Sequence, residues 1–338
     1  MDPALLFGIG VVTLAGILQG SFAAPMKRMS GWQWENSWLL FALSGLIVFP
    51  WIINFATVPN VTSVYLGATP PTLIKVVVFG LLWGVGATLF GLGISRVGMA
   101  LGFALILGIT ASFGSLFPLA MLHPEQLVAK HGLALIAGTT VMVVGLVFLA
   151  LAGRAREQDL RTGNGVRSGF TVGLVICIFS GIFSSMMNFS FVFGDELRVR
   201  ALQSGASNAM AANPIWTLTV TGGFVANFIY CVYLLNRNRT WAVFREGNPA
   251  TYWALGISTG LLWFGGIAFY GMGAASLGSL GNIVGWPIFM TIDIIAALFW
   301  GAVSGEWKGA SRRALAYNWT GVGVLLLAIA VISAGNAS

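Results

Sequence analysis

Ten apolar runs divide this chain, at residues 4–24, 37–56, 73–95, 99–122, 133–153, 169–192, 208–235, 251–274, 282–303 and 318–335. Most are about 17–25 residues long, enough for a helix to cross the hydrocarbon core of a bilayer. Lipid offers no partner to backbone N–H and C=O groups, so a segment crossing it satisfies them internally as a helix. Only 8% of the 338 residues are charged and 57% are hydrophobic, against about 25% charged in soluble domains. The fold expected is an all-α integral membrane protein with ten transmembrane helices. Glycine, at 45 residues, fits helices that pack closely through small side chains.

One stretch occurs twice. Gly80-Leu81-Leu82-Trp83 is followed by Gly86, Gly91, Gly93 and Gly98, and the order returns as Gly260-Leu261-Leu262-Trp263, Gly266, Gly271, Gly273 and Gly278. Shorter matches pair Gly16-Ile17 with Gly181-Ile182, and Asn36 and Gly45 with Asn213 and Gly222. Identity at a fixed offset marks a duplicated unit. The polar stretch from Arg154 to Arg167 separates five runs from five. This predicts a first five-helix repeat over 1–153, a cytoplasmic linker over 154–168 and a second repeat over 169–338. Five crossings are an odd number, so the second repeat is inverted relative to the first. Inverted repeats recur in secondary transporters, with the solute site near midplane between the halves.

The loops after runs 1, 3, 5, 7 and 9 hold 2, 1, 4, 3 and 3 basic residues, 13 of the 17 Lys and Arg. The positive-inside rule then places those loops in the cytoplasm and both termini outside it. The formal charge of +7 reads as this topology signal, and no nucleic-acid partner is expected. Lys27 and Arg28 follow the first run rather than precede it, which predicts a retained helix and not a cleaved signal peptide. Cys177 and Cys231 fall inside apolar runs and are expected to pack, with neither disulfide nor metal. Glycine pairs such as Gly84/Gly86 and Gly91/Gly93 lie inside runs and read as helix contacts. The chain carries no phosphate cradle, nucleophile elbow or metal-ligand spacing. Neither a cofactor nor enzymatic activity is expected.

Several patches together resemble the L-rhamnose:proton symporter family of the drug/metabolite transporter superfamily. They are Ala24-Pro25-Met26-Lys27-Arg28 leading to Gly31-Trp32-Gln33-Trp34-Glu35, Phe79-Gly80 with Trp83-Gly84, and Gly98-Met99. Gly181-Ile182-Phe183-Ser184, Gly222-Gly223 with Asn227, Trp263 with Phe269-Tyr270, and Glu306-Trp307 with Arg312-Arg313 complete the set. The resemblance implies ten helices in two inverted repeats, proton-driven sugar uptake and a bacterial inner membrane. The chain departs from it at Ala87-Thr88 and Gly265-Gly266, where small residues imply a differently shaped pocket. Another small metabolite, export, or sodium coupling stays open as an alternative, and oligomeric state is not legible.

Asp293 is the carboxylate deepest within an apolar run, and an ionisable group there marks an ion or proton site by default. It is the candidate proton-coupling residue. A sugar offers a C–H face to aromatic rings and hydroxyls to amides. Trp263 and Tyr270 stand seven residues apart, as do Trp286 and Asp293, so each pair shares a helix face. With Gln19, Asn188 and Asn227, whose amides are costly to leave unpaired in lipid, they form the candidate sugar site. Lys27, Arg28, Glu35 and Glu306 lie at helix ends as candidates for a cytoplasmic gate; pairing of Glu35 with Lys27 and Arg28 would form that gate, and solvated loop charges are the more common outcome at such positions.

Overall fold

The computed structural model of the chain describes residues 3–97, 99–160, 170–278, 281–305 and 307–336. Among these, ten helical segments are long and apolar enough to cross a membrane. The first crossing is α1 (Pro3–Gly20), ending in a 3-10 turn over Pro25–Arg28. The second joins α2 (Trp34–Ala42), a π-helical segment over Leu43–Val48 and α3 (Phe49–Thr57). A short α4 (Val61–Gly67) leads to α5 (Pro70–Val97), α6 (Met99–Leu122) and α7 (Lys130–Leu160). The sixth crossing, α8 (Phe170–Phe193), runs into a short α9 (Asp195–Gln203). The last four are α10 (Asn213–Asn238), α11 (Pro249–Ser276), α12 (Gly281–Val303) and α13 (Arg312–Asn336). Proline opens α5, α10 and α11, where its missing N–H is one of the first-turn donors without a partner anyway.

The second crossing differs from the single α-helix expected of it. Pro50 donates no N–H to the turn before it, and its ring crowds that turn. The wider π turn takes up the mismatch, while the Ser44 hydroxyl donates to the Leu40 carbonyl at 2.8 Å. At this bulge the backbone of Gly45 meets that of Gly260, where an added Cβ would sit 2.9 Å from the Gly260 Cα. The matching crossing between α5 and α10 uses Gly80, Gly84 and Gly223. A Cβ on Gly80 would overlap the Thr219 carbonyl oxygen, and one on Gly84 the Gly223 carbonyl oxygen. Such proximity maximises dispersion contact where no hydrophobic force drives helices together.

The contacts follow a pattern of exchange. α1 packs on α11 and α12; α8, the sixth crossing, packs on α5 and α6. The second crossing packs on α11, and the seventh, α10, on α5. α7 packs on α13, the fifth crossing on the tenth. Exchanging the first five crossings for the last five maps this contact set onto itself. Beyond the membrane-spanning part of α7, Asp159 accepts a 2.8 Å bond from the Ser311 backbone N–H before α13, which holds its carboxyl below the usual carboxylate range. Cys177 and Cys231 are buried free thiols; Cys177 Sγ fills the space beside Gly93.

Gly80→Ala is expected to lower stability by about 1–3 kcal/mol through overpacking, read as a lower melting temperature in detergent. Gly10→Ala, which would meet no atom within 4 Å, should leave it unchanged.

Candidate functional site

Two aromatic clusters line the seam between the first five crossings and the last five, on one face of α11. The first surrounds Trp263. Its ring lies 5.3 Å from Trp83 on α5 and meets Phe41 on α2 edge-on at 5.7 Å. Phe41 packs on Trp38 at 4.9 Å and on Phe22 at 5.5 Å. The Trp38 indole donates to Asn227 Oδ1 at 2.9 Å, and the other end of that amide donates to the Gly223 carbonyl at 2.9 Å. Asn227 is thus brought to Trp263 through Trp38 and Phe41, two residues on the Trp34–Trp38–Phe41 stripe of α2 that were not singled out from sequence.

Gln19 flanks this cluster. It lies one turn before Phe22, and its backbone N sits 3.0 Å from where a Cβ on Gly266 would be. Its Oε1 is buried and makes no hydrogen bond. α1 lies against Gly266, where a side chain would meet the Ala15 carbonyl and Gln19, so the small residue at this position serves helix contact.

The second cluster lies two turns along α11, about 10 Å away at 1.5 Å per residue. Tyr270 stacks on Phe289 at 4.9 Å and meets Trp286 at 5.6 Å and Trp216 at 5.8 Å. Its hydroxyl donates to Asn188 Oδ1 at 3.0 Å, while Asn188 Nδ2 donates to the Gly114 carbonyl at 2.8 Å. The Trp286 indole donates to the Thr110 carbonyl at 3.2 Å. Both acceptors belong to α6, so Asn188, Tyr270 and Trp286 converge as one bonded group. Trp216 is fully buried within it, yet its Nε1 has no partner. A buried polar atom left unbonded costs about 1–3 kcal/mol; of several among the described residues, Gln19 Oε1 flanks the first cluster and Trp216 Nε1 belongs to the second.

Asp293 lies two turns beyond Trp286 on α12, half-buried, with its backbone carbonyl against Gly20 of α1. Among the described residues no side chain hydrogen-bonds its carboxyl. At the end of the seam marked by α2, Glu35 is buried and accepts from Asn238 Nδ2 at 3.0 Å and Thr240 Oγ1 at 2.8 Å. Glu35 is therefore neither a solvated loop charge nor, among the described residues, bonded to Lys27 or Arg28. The amide at the end of α10 and the hydroxyl two residues past it reach Glu35, while Arg28 is exposed and Lys27 Nζ reaches Ser304 Oγ at 3.3 Å. Glu306 lies outside the described residues.

Ten crossings around an internal seam of aromatic rings and amides define a polytopic membrane protein with a recognition-type interior. Residues 1–338 match the family described as L-rhamnose-proton symport protein, and the chain belongs to that family. Proteins named L-rhamnose-proton symporter are similar along their whole length, with 100% of each chain covered. That of Klebsiella pneumoniae is 26% identical, that of an Enterobacter species 27% and that of Yersinia pestis 25%. The apolar crossings and these bacterial relatives make it a multi-pass inner-membrane protein.

Tyr270→Phe leaves Asn188 Oδ1 without its donor and is expected to cost about 1–3 kcal/mol, seen as earlier thermal unfolding in detergent.

Proposed function

We propose that this chain is a secondary active transporter that takes up a neutral monosaccharide, L-rhamnose or a similar deoxy sugar, together with protons by alternating access. Membership of a sugar–proton symporter family supports the solute class and the coupling. The exchange pattern of the helix contacts supports two five-helix repeats, 1–153 and 169–338, joined by a linker over 154–168. With an odd number of crossings in each, the repeats face opposite ways, and the distribution of basic residues puts both termini outside the cytoplasm.

The single observation that carries the reading is the buried, unbonded Gln19 Oε1, on the residue one turn before Phe22 and packed at Gly266, one turn after Trp263 on α11; the Phe22 ring in turn packs on Trp38 and Phe41. An acceptor in that position is matched by a donor from outside the protein, and a sugar hydroxyl next to a C–H face over the rings supplies both requirements. In this reading Gln19, Asn227 and Trp263 contact the sugar directly. Asn188, Tyr270 and Trp286 close the site from the other cluster, where the Trp216 indole offers a second free valence. Asp293 takes the proton: neutralising it removes the cost of carrying a charge through the membrane interior, so the loaded carrier reorients. Glu35, held by Asn238 and Thr240, belongs to the cytoplasmic gate along with Lys27, Arg28 and Glu306.

L-rhamnose should raise the melting temperature of the purified protein, since a ligand of the folded state stabilises it by mass action. Gln19→Leu should remove that shift, and an unchanged shift in this variant excludes Gln19 from the site. Asp293→Asn should abolish uphill accumulation in vesicles while sparing sugar exchange. Accumulation at the wild-type level would take Asp293 out of the coupling.

A further inference from the structure

The second and seventh crossings hold each other at both ends through one asparagine apiece. Asn36, in the first turn of α2, donates from Nδ2 to the Thr240 carbonyl just past α10, at 3.0 Å. Asn213, the first residue of α10, donates from Nδ2 to Thr57 Oγ1, the last residue of α3, at 2.8 Å. Each asparagine begins one crossing and each acceptor ends the other, so the two bonds lie at opposite ends of a 24-residue crossing. They are also images of each other under the exchange of halves. The sequence pairs the same two positions, since Asn36 and Gly45 match Asn213 and Gly222 at one offset.

Local structure sets up each bond. α10 ends with Arg239 in the left-handed region at φ 57°, and the Thr240 N–H turns back to the Leu235 carbonyl at 3.1 Å. That turn presents the Thr240 carbonyl to Asn36 and its hydroxyl to Glu35. At the other end the Tyr65 hydroxyl donates to the Pro214 carbonyl at 3.1 Å, next to Asn213. Both asparagines are buried, Asn36 at 0% and Asn213 at 2% exposure. Asn36 Oδ1 makes no bond, so the Thr240 contact holds only one edge of that amide.

Between these ends the crossings meet α5 and α11 through glycines, Gly222 and Gly223 against α5 and Gly45 against Gly260. Backbone meets backbone in most of these contacts, with the Trp83 ring against Gly223 and Ser44 Oγ against Gly260, so few side chains have to be displaced for the helices to shift over one another. A neutral amide suits a contact that must open. Water replaces its bond at little net cost, and no charge is left stranded when it breaks. We propose that Asn36 and Asn213 are paired latches of alternating access, each releasing its end of the seam while the other holds. This rests on the carrier reading above. Both latches are engaged in this structure, which therefore holds the two ends together at once.

The test uses side-specific thiol labelling of the full chain in membrane vesicles. Cys177→Ala and Cys231→Ala clear the background, and single thiols are placed by Ser37→Cys at the Asn36 end or Ala211→Cys at the Asn213 end. Both positions are buried, at 5% and 0% exposure. Asn36→Leu should speed labelling by a membrane-impermeant maleimide at Ser37→Cys about fivefold, the factor one net hydrogen bond supplies, without speeding it at Ala211→Cys. Asn213→Leu should do the reverse. Should either of these variants fail to insert, Thr57→Val removes the acceptor alone and should open only the Asn213 end. Labelling that rises at both ends together, or at neither, overturns the proposal. L-rhamnose uptake by the unmodified chain in the same vesicles separates the two readings. One-ended labelling without uptake counts against the solute, and intact uptake with two-ended or unchanged labelling counts against the latches.

Discussion

A hydrocarbon surrounding offers no hydrogen bonds, so every polar atom inside this protein is either paired by another part of the chain or left as a cost. That constraint orders the whole structure. It makes each crossing helical and brings α5 to α10 through glycines, close enough that a single methyl group would collide with a carbonyl. It also accounts for the seam, where Trp38 and Trp286 spend their indole N–H groups on Asn227 and a carbonyl of α6. Against that background the few unpaired atoms carry information. Gln19 Oε1 stands on α1 where it meets Gly266 of α11, and Trp216 Nε1 lies on a ring that packs on Phe191 and Tyr270.

The chemistry of a sugar explains why rings and amides occur together. Ring faces accept C–H groups without directional demand, and each hydroxyl then needs one partner. Tyr270 and Asn188 already satisfy one another, so a solute proposed to bind at that cluster would trade one bond for another. The Trp263 cluster retains an open acceptor. Asp293 stands apart from both clusters, two turns from Trp286, so under the proposed function proton and sugar would occupy separate places.

Much of this was legible in the residues. Run length and the dearth of charge gave ten crossings, and the Gly-Leu-Leu-Trp duplication placed Trp83 and Trp263 in corresponding helices that touch at 5.3 Å. The seven-residue spacing of Trp263 and Tyr270 located both on the face of α11 that turns inward. Other features depend on tertiary placement. The π segment before Pro50 is a backbone adjustment with no composition of its own. Polar α9 falls between two apolar runs, and its nine residues carry Asp195, Glu196, Arg198 and Arg200. In the fold Glu196 caps the start of α5 by accepting from the Thr69 N–H at 2.9 Å. Trp38 and Phe41 hid among many apolar neighbours, and only the packing of α2 on α11 distinguishes them. Glu35 stands near Lys27 and Arg28 in the sequence, whereas Asn238 and Thr240, which bond it, come from the far end of the seventh crossing.

The central claim is that one seam binds sugar and couples its passage to protons. The most direct measurement is the external pH of lightly buffered, energy-depleted cells producing this chain when L-rhamnose is added. Co-transport predicts a transient alkalinisation of the medium that disappears with a protonophore. Sugar that enters with no movement of pH would contradict the account.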